Sequence, residues 1–147
     1  MTRTSTILAA ALFATVVSAP VLSMAADTKP SLYERLGGTG PITAVVGKFV
    51  ANVAADKRIN GYFAKADIPN LKRQLVDQVC MASGGPCTYT GKDMKTTHKG
   101  MKITSAAFTA LVEDLVAALD TFNVPEQEKG ELLNVLGPMS KDIVEAP

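Results

Sequence analysis

Residues 84–104 read GGPCTYTGKDMKTTHKGMKIT. Glycines at 84, 85, 91 and 100 and Pro86 break the stretch repeatedly, leaving room for one short helix at 92–99. That segment carries His98, the only histidine of the chain. On either side the pattern is strongly helical. An irregular connection of this length inside a compact domain is functional or is held down by something. A large apolar cofactor would supply the core that such a stretch lacks.

Downstream, Thr104 is placed to cap a helix in which Phe108, Leu111, Val112, Leu115, Val116 and Leu119 follow the three-four spacing of a buried face. Pro125 opens a last helix with Leu132, Leu136, Met139 and Ile143 on one side, and Gly137-Pro138 is expected to kink it. Upstream, Asp67-Ile-Pro69 opens a helix with Leu71, Leu75, Val76 and Val79, ended by Ser83-Gly84-Gly85-Pro86. Residues 54–65 are polar and irregular but keep Ile59 and Tyr62-Phe63. Gly40-Pro41 begins a helix with Ile42, Val45, Val46, Phe49, Val50 and Val53 at helical spacing. Ser31-Leu-Tyr-Glu34 has capping-box spacing, and Gly37-Gly38 stops that helix after little more than a turn. No segment sustains strand alternation, and there is no repeat or internal linker. The reading is one all-α domain, residues 27–147.

The first 26 residues differ from the rest. They carry Arg3, no acid, and an apolar run at 7–17. Ser23-Met24-Ala25 offers small residues for cleavage after Ala25 or Ala26, so residues 1–26 are expected to be a signal peptide. The alternative, a membrane anchor, needs about 20 apolar residues, and Ser18 and Pro20 interrupt the run too soon. Export, to the periplasm in a bacterium, follows, with no membrane association afterwards. Loss of Arg3 brings the 15 basic residues level with the 14 acidic ones. A near-neutral chain is not a polybasic nucleic-acid binder. With 47% hydrophobic residues it supports a packed core rather than disorder. A single His and two Cys exclude two-histidine catalysis and zinc sites built on several His and Cys.

One histidine cannot hold a bare metal ion, but it can hold a haem iron, because the porphyrin supplies four ligands and the protein adds one axial group. Phe49, Phe63, Leu71, Leu75, Met94, Met101 and Phe108 are available for an apolar slot. From the residues alone, a solvated His98 between lysines remains the competing description.

Several pieces arrive together in a recognisable order: Leu32-Tyr33-Glu34-Arg35-Leu36-Gly37-Gly38, Phe63, Gly84-Gly85-Pro86, Tyr89-Thr90-Gly91, Met94-Lys95 with His98 and Gly100, Ile103-Thr104, Phe108, Leu132-Leu133 and Pro138. On these the chain resembles a truncated haemoglobin of the first group, a two-over-two helical sandwich around haem, from residue 32 to about 144. The resemblance implies heme b as cofactor, His98 as proximal iron ligand and Phe63 packed on the porphyrin face. It implies Phe49, Val50, Leu71, Leu75, Tyr89, Met94, Met101, Ile103 and Phe108 as further pocket residues. It implies a diatomic gas partner (oxygen, CO or NO), in a monomer or weak dimer. It leaves open a nitric oxide dioxygenase activity served by a reductase.

The distal side departs from that family. A Phe-Tyr pair, whose hydroxyl donates to the gas ligand, is Phe49-Val50 here. The next helix offers Leu71 and Leu75 where the second position is often Gln. A lost hydrogen bond to a partly charged ligand is worth about 1.5–3 kcal/mol. Fast oxygen release and easy autoxidation are expected, unless Gln74 or Gln78 turns in as donor.

Cys80 and Cys87 flank the Gly84-Gly85-Pro86 turn, and neither makes a Cys-x-x-Cys-His haem attachment. In an oxidising compartment they are expected to pair; the alternative is two unlinked thiols. Met81, Met94 or Met101 as sixth iron ligand would make an electron carrier instead. A haem-free globin-like interaction domain is the third reading. Lys72, Arg73, Lys95, Lys99 and Tyr89 are candidates for the haem propionates.

Overall fold

A computed structural model describes residues 29–147, so the expected signal peptide, residues 1–26, lies outside the described residues. Seven helices follow in order: α1 (Leu32–Arg35), α2 (Thr39–Ala55), α3 (Ile68–Ala82), α4 (Met94–His98), α5 (Ser105–Thr121), α6 (Glu126–Leu136) and α7 (Ser140–Ile143). Short 3-10 turns occur at Asn60–Phe63 and Gly137–Met139, the second where Gly137-Pro138 breaks α6 from α7 as expected.

The helix starts follow local chemistry. Ser31 and Glu34 form the capping box, with the Glu34 carboxylate accepting from Ser31 N at 2.7 Å. Asp67 caps α3 through Asn70 N at 3.1 Å, and Thr104 caps α5 through Ala107 N at 3.1 Å. Asp93 caps α4 through Thr96 N at 2.8 Å, a start the sequence reading did not assign. Each supplies an acceptor to an amide that the helix cannot satisfy.

The core is organised on α2, which packs against both α3 and α5. All six apolar positions expected on its face, Ile42, Val45, Val46, Phe49, Val50 and Val53, are buried. Ala118 and Leu119 of α5 and Leu132 of α6 complete the packing. Helix α3 behaves differently. Cys80 at its C-terminal end is its only buried residue; Leu71, Leu75 and Val79 line a cavity, with Leu75 and Val79 also packed in part against the core.

Two clasps close the fold. Arg35 of α1 pairs with Glu128 at 2.6 Å and with Glu131, both on α6. The segment after α7 returns to α5: Glu145 N and Ala146 N donate to Ile103 O at 2.9 and 3.2 Å, and Ser105 N donates to Ala146 O at 3.2 Å. Among the described residues the resulting Thr104–Ala146 bridge is the sole β-type pairing, and no helix is long and apolar enough to cross a membrane.

Candidate functional site

The cavity beneath α3 measures about 790 Å³. Its walls are Phe49, Val50 and Val53 of α2, Phe63 of the 3-10 turn that precedes α3, Leu71, Leu75 and Val79 of α3, and Phe108, Leu111 and Leu115 of α5. The loop after α3 adds Tyr89, Gly91 and Lys92, and α4 adds Met94, Thr97 and His98. Packed protein interiors leave few voids larger than a water molecule. An apolar-walled cavity of this size suits an organic cofactor.

His98 sits at the last position of α4 with its Nδ1 2.7 Å from Met94 O, one turn earlier. A carbonyl can only accept, so this contact assigns the proton to Nδ1 and leaves the Nε2 lone pair free. A histidine ligand oriented through its second nitrogen is the usual arrangement at a metal. Among the described residues no group of three or more His, Cys, Asp or Glu could hold a metal ion, so the imidazole suits a metal that brings its other ligands with it.

Val50, Leu71 and Leu75 of α2 and α3 give the lining an apolar stretch. Gln74 and Gln78 also line the cavity. The Gln78 amide donates to the sulfurs of Met139 at 3.2 Å and Met94 at 3.5 Å, both weak acceptors. Gln74 Oε1 is buried without a partner. Tyr89 Oη donates to Lys92 O at 2.8 Å, and burial, together with the Asp93 charge, pushes its hydroxyl pKa up. Gly91 lies against both side chains. A methyl group there would stand 2.7 Å from Gln74 Oε1 and overlap the Tyr89 hydroxyl, so only glycine allows the approach.

Of the ten side chains expected around the cofactor, Phe49, Val50, Phe63, Leu71, Leu75, Tyr89, Met94 and Phe108 line the cavity with His98. Met101 and Ile103 do not. After His98 the chain turns sharply and leaves the cavity, and Ile103 is buried instead beneath the C-terminal segment that bonds to its carbonyl. Met81 is 47% exposed and also lies outside. Of the candidates for the propionates, Tyr89 lines the cavity and the four cations do not. Lys72 and Arg73 line a separate groove between α2 and α3, and Lys95 and Lys99 are exposed away from the lining. Lys92 is the lysine that borders the cavity, and the sequence reading missed it. Its signal was the Tyr89-Thr90-Gly91-Lys92 turn, in which the Tyr89 hydroxyl closes on the Lys92 carbonyl. Cys80 and Cys87 are joined as a disulfide, Cα to Cα 5.7 Å, tying the end of α3 to the loop that leads to α4.

An all-helical sandwich that encloses an apolar cavity of cofactor size against one oriented histidine defines a haem protein of globin type. The comparisons with known proteins agree. The family described as bacterial-like globin matches residues 31–145. A group 1 truncated haemoglobin of Tetrahymena thermophila is 36% identical over 114 residues, covering 78% of this chain and 94% of that protein. The group 1 truncated haemoglobin GlbN of Mycolicibacterium paratuberculosis is 34% identical over 113 residues, covering 77% and 83%. The crystal structure of truncated haemoglobin from Tetrahymena pyriformis in its Fe(III) form superposes with a TM-score of 0.76 at 34% identity, covering 78% of this chain and 98% of that one. The chain belongs to the bacterial-like globins, and the relatives it matches are truncated haemoglobins of group 1.

Proposed function

We propose that the protein carries heme b with iron held by Nε2 of His98, and that it binds a diatomic gas on the opposite, apolar face. The observation that carries this is the Nδ1 contact of His98 to Met94 O, which leaves Nε2 as the free nitrogen beside the cavity. The orphaned Gln74 Oε1 and the Gly91 cradle fit a bound group at the cavity edge. When bound, haem supplies one open coordination position for a small gas.

The protein's own residues set which gas is retained. His98 orients the proximal ligand. Phe49, Phe63 and Phe108 exclude water from the apolar interior. Val50, Leu71 and Leu75 provide no donor, and the Gln78 amide is already directed at Met139 and Met94, which leaves the Gln74 amide as the donor that α3 offers the cavity. Oxygen binding depends on a donor more than CO or NO binding does, so the pocket favours CO and NO relative to oxygen. A dioxygenase role, in which oxygen must be retained until nitric oxide arrives and a reductase restores the iron, draws less support from such a wall. Six-coordination also draws little: Met81 and Met101 lie outside the cavity, and Met94 shares the short helix of His98. Export to an oxidising compartment belongs to the same reading, and the Cys80–Cys87 bridge supports it.

The test is the visible spectrum of the mature protein with one equivalent of haemin, ferric, then reduced, then under CO. A ferrous five-coordinate spectrum with a sharp Soret shift on CO, lost in His98→Ala, is the expected result. Low-spin ferrous bands before CO, or no specific spectrum, would overturn it.

A further inference from the structure

The segment after α7 does more than close the fold: it places a carboxylate on the turn that follows His98. Glu145 Oε1 accepts from Gly100 N at 2.7 Å, and Glu145 Oε2 accepts from Lys102 N at 2.6 Å. The two amides converge because the backbone between them is unusual. His98 to Met101 is a type II turn, with Lys99 at φ −55 and ψ 126, Gly100 at φ +81, and Met101 N donating to His98 O at 3.1 Å. Lys102 then adopts φ +55, a conformation that a residue with a side chain holds only when its surroundings impose it. Turns of this kind aim N–H groups into a common hollow that binds anions. Here a side chain of the same protein fills it. The two amides hold the Glu145 carboxyl below its ordinary pKa, so it is charged at neutral pH.

Helix α4 needs such support. It has five residues, too few to be stable alone. Asp93 secures its N-terminal end, and the Glu145 clasp secures the turn on which its C-terminal end runs out. The bond from His98 Nδ1 to Met94 O spans that same helix, so it survives only while α4 stays wound through His98.

We infer that Glu145 is a positioning residue for the iron-binding imidazole: seated between the amides of Gly100 and Lys102, it fixes the end of α4 and with it the orientation of His98. This rests on the reading of His98 as iron ligand. It assigns a role to the last few residues of the chain, which contribute no side chain to the cavity after Ile143.

Glu145→Gln tests it, because the amide keeps the length but sets an NH₂ against a backbone N–H. The readout is the iron–histidine stretching band of the ferrous, gas-free holoprotein, with haem transfer to excess apomyoglobin measured in parallel. A lower-frequency, broadened band and about 10–100-fold weaker haem retention are expected, the usual penalty for losing support behind a metal ligand. Glu145→Asp, which keeps the charge but is too short to bridge both amides, should fall between. Lys129→Met removes the ion pairs of Lys129 with Asp120 and Glu126, which share no residue with the turn or the clasp, and should leave the band in place. An unmoved band in folded Glu145→Gln overturns the proposal, and so does an equal shift in Lys129→Met. A wild-type protein without any His98-dependent band overturns the reading of His98 and this proposal with it. Should Glu145→Gln fail to fold, hydrogen exchange of the wild-type holoprotein decides: slow exchange at the Gly100 and Lys102 amides upholds the clasp, and rapid exchange at both refutes it.

Discussion

Val50→Tyr would restore a hydroxyl to the apolar stretch of the cavity lining. Val50 is 6% exposed, lines the cavity, and has Leu71 and Leu75 on the same apolar wall. A hydrogen bond to a group carrying partial charge contributes about 1.5–3 kcal/mol. At 1.4 kcal/mol per tenfold, oxygen dissociation should slow by roughly 10–150-fold. CO dissociation should change far less, because CO gains little from a donor. The added ring has its own cost. Inserting it beside the packed α2 face should lower stability by about 1–3 kcal/mol, read separately as a drop in the urea midpoint. Stopped-flow mixing of the oxygenated protein with excess CO gives the oxygen rate, and displacement of CO by nitric oxide gives the other. An unchanged oxygen rate in a folded variant would refute the account of the pocket as lacking a donor. So would a slow wild-type rate that persists in both Gln74→Leu and Gln78→Leu.

Three further outcomes follow from the structure. Removing the bridge with paired Cys80→Ser and Cys87→Ser should lower unfolding free energy by about 2–3 kcal/mol, the chain-entropy value for so short a loop, measured by urea titration. Gly91→Ala should speed haem loss to apomyoglobin, since its methyl forces Tyr89 or Gln74 aside; an unchanged rate would show that this edge does not hold the cofactor. Arg35 holds the Glu131 carboxyl down, to about 2 from 4.5. A depressed carboxyl contributes stability above its unfolded pKa and loses it as pH falls through the folded one. The wild type should therefore lose stability between about pH 4.5 and 2 more steeply than Arg35→Gln, followed by circular dichroism across that range.

Much of the fold was legible before any coordinates. Ser31, Asp67 and Thr104 cap helices where their spacing said they would, because capping is decided within four residues. The buried face of α2 followed from periodicity, since that helix is covered on both sides by α3 and α5. The kink at Gly137-Pro138 is a backbone property and needed no partner. The pocket was legible only in part. Phe63 and His98 belong to a recurrent order of motifs, whereas Met101 and Ile103 stand near His98 in sequence but leave the cavity through the turn at Gly100. The lysines went astray for a related reason. A cation's use depends on which face of its element meets the cavity, and Lys72 and Arg73 lie on the other face of α3 from Leu71 and Leu75.

Local chemistry along the chain therefore settles where helices begin and where they break, and the residue count adds that a lone histidine, if it binds a metal, needs a group that brings its own ligands. Those are short-range matters of backbone satisfaction and residue count. Tertiary packing alone decides that Gln74 is left with a buried, unpartnered oxygen, that Gln78 spends its amide on two sulfurs, and that Glu145 reaches back over more than forty residues to the amides of the turn that follows His98. Each depends on the direction of a side chain once α2, α3 and α5 have met. No pattern in the sequence encodes that direction, because it emerges from the packing of elements that are distant in the chain.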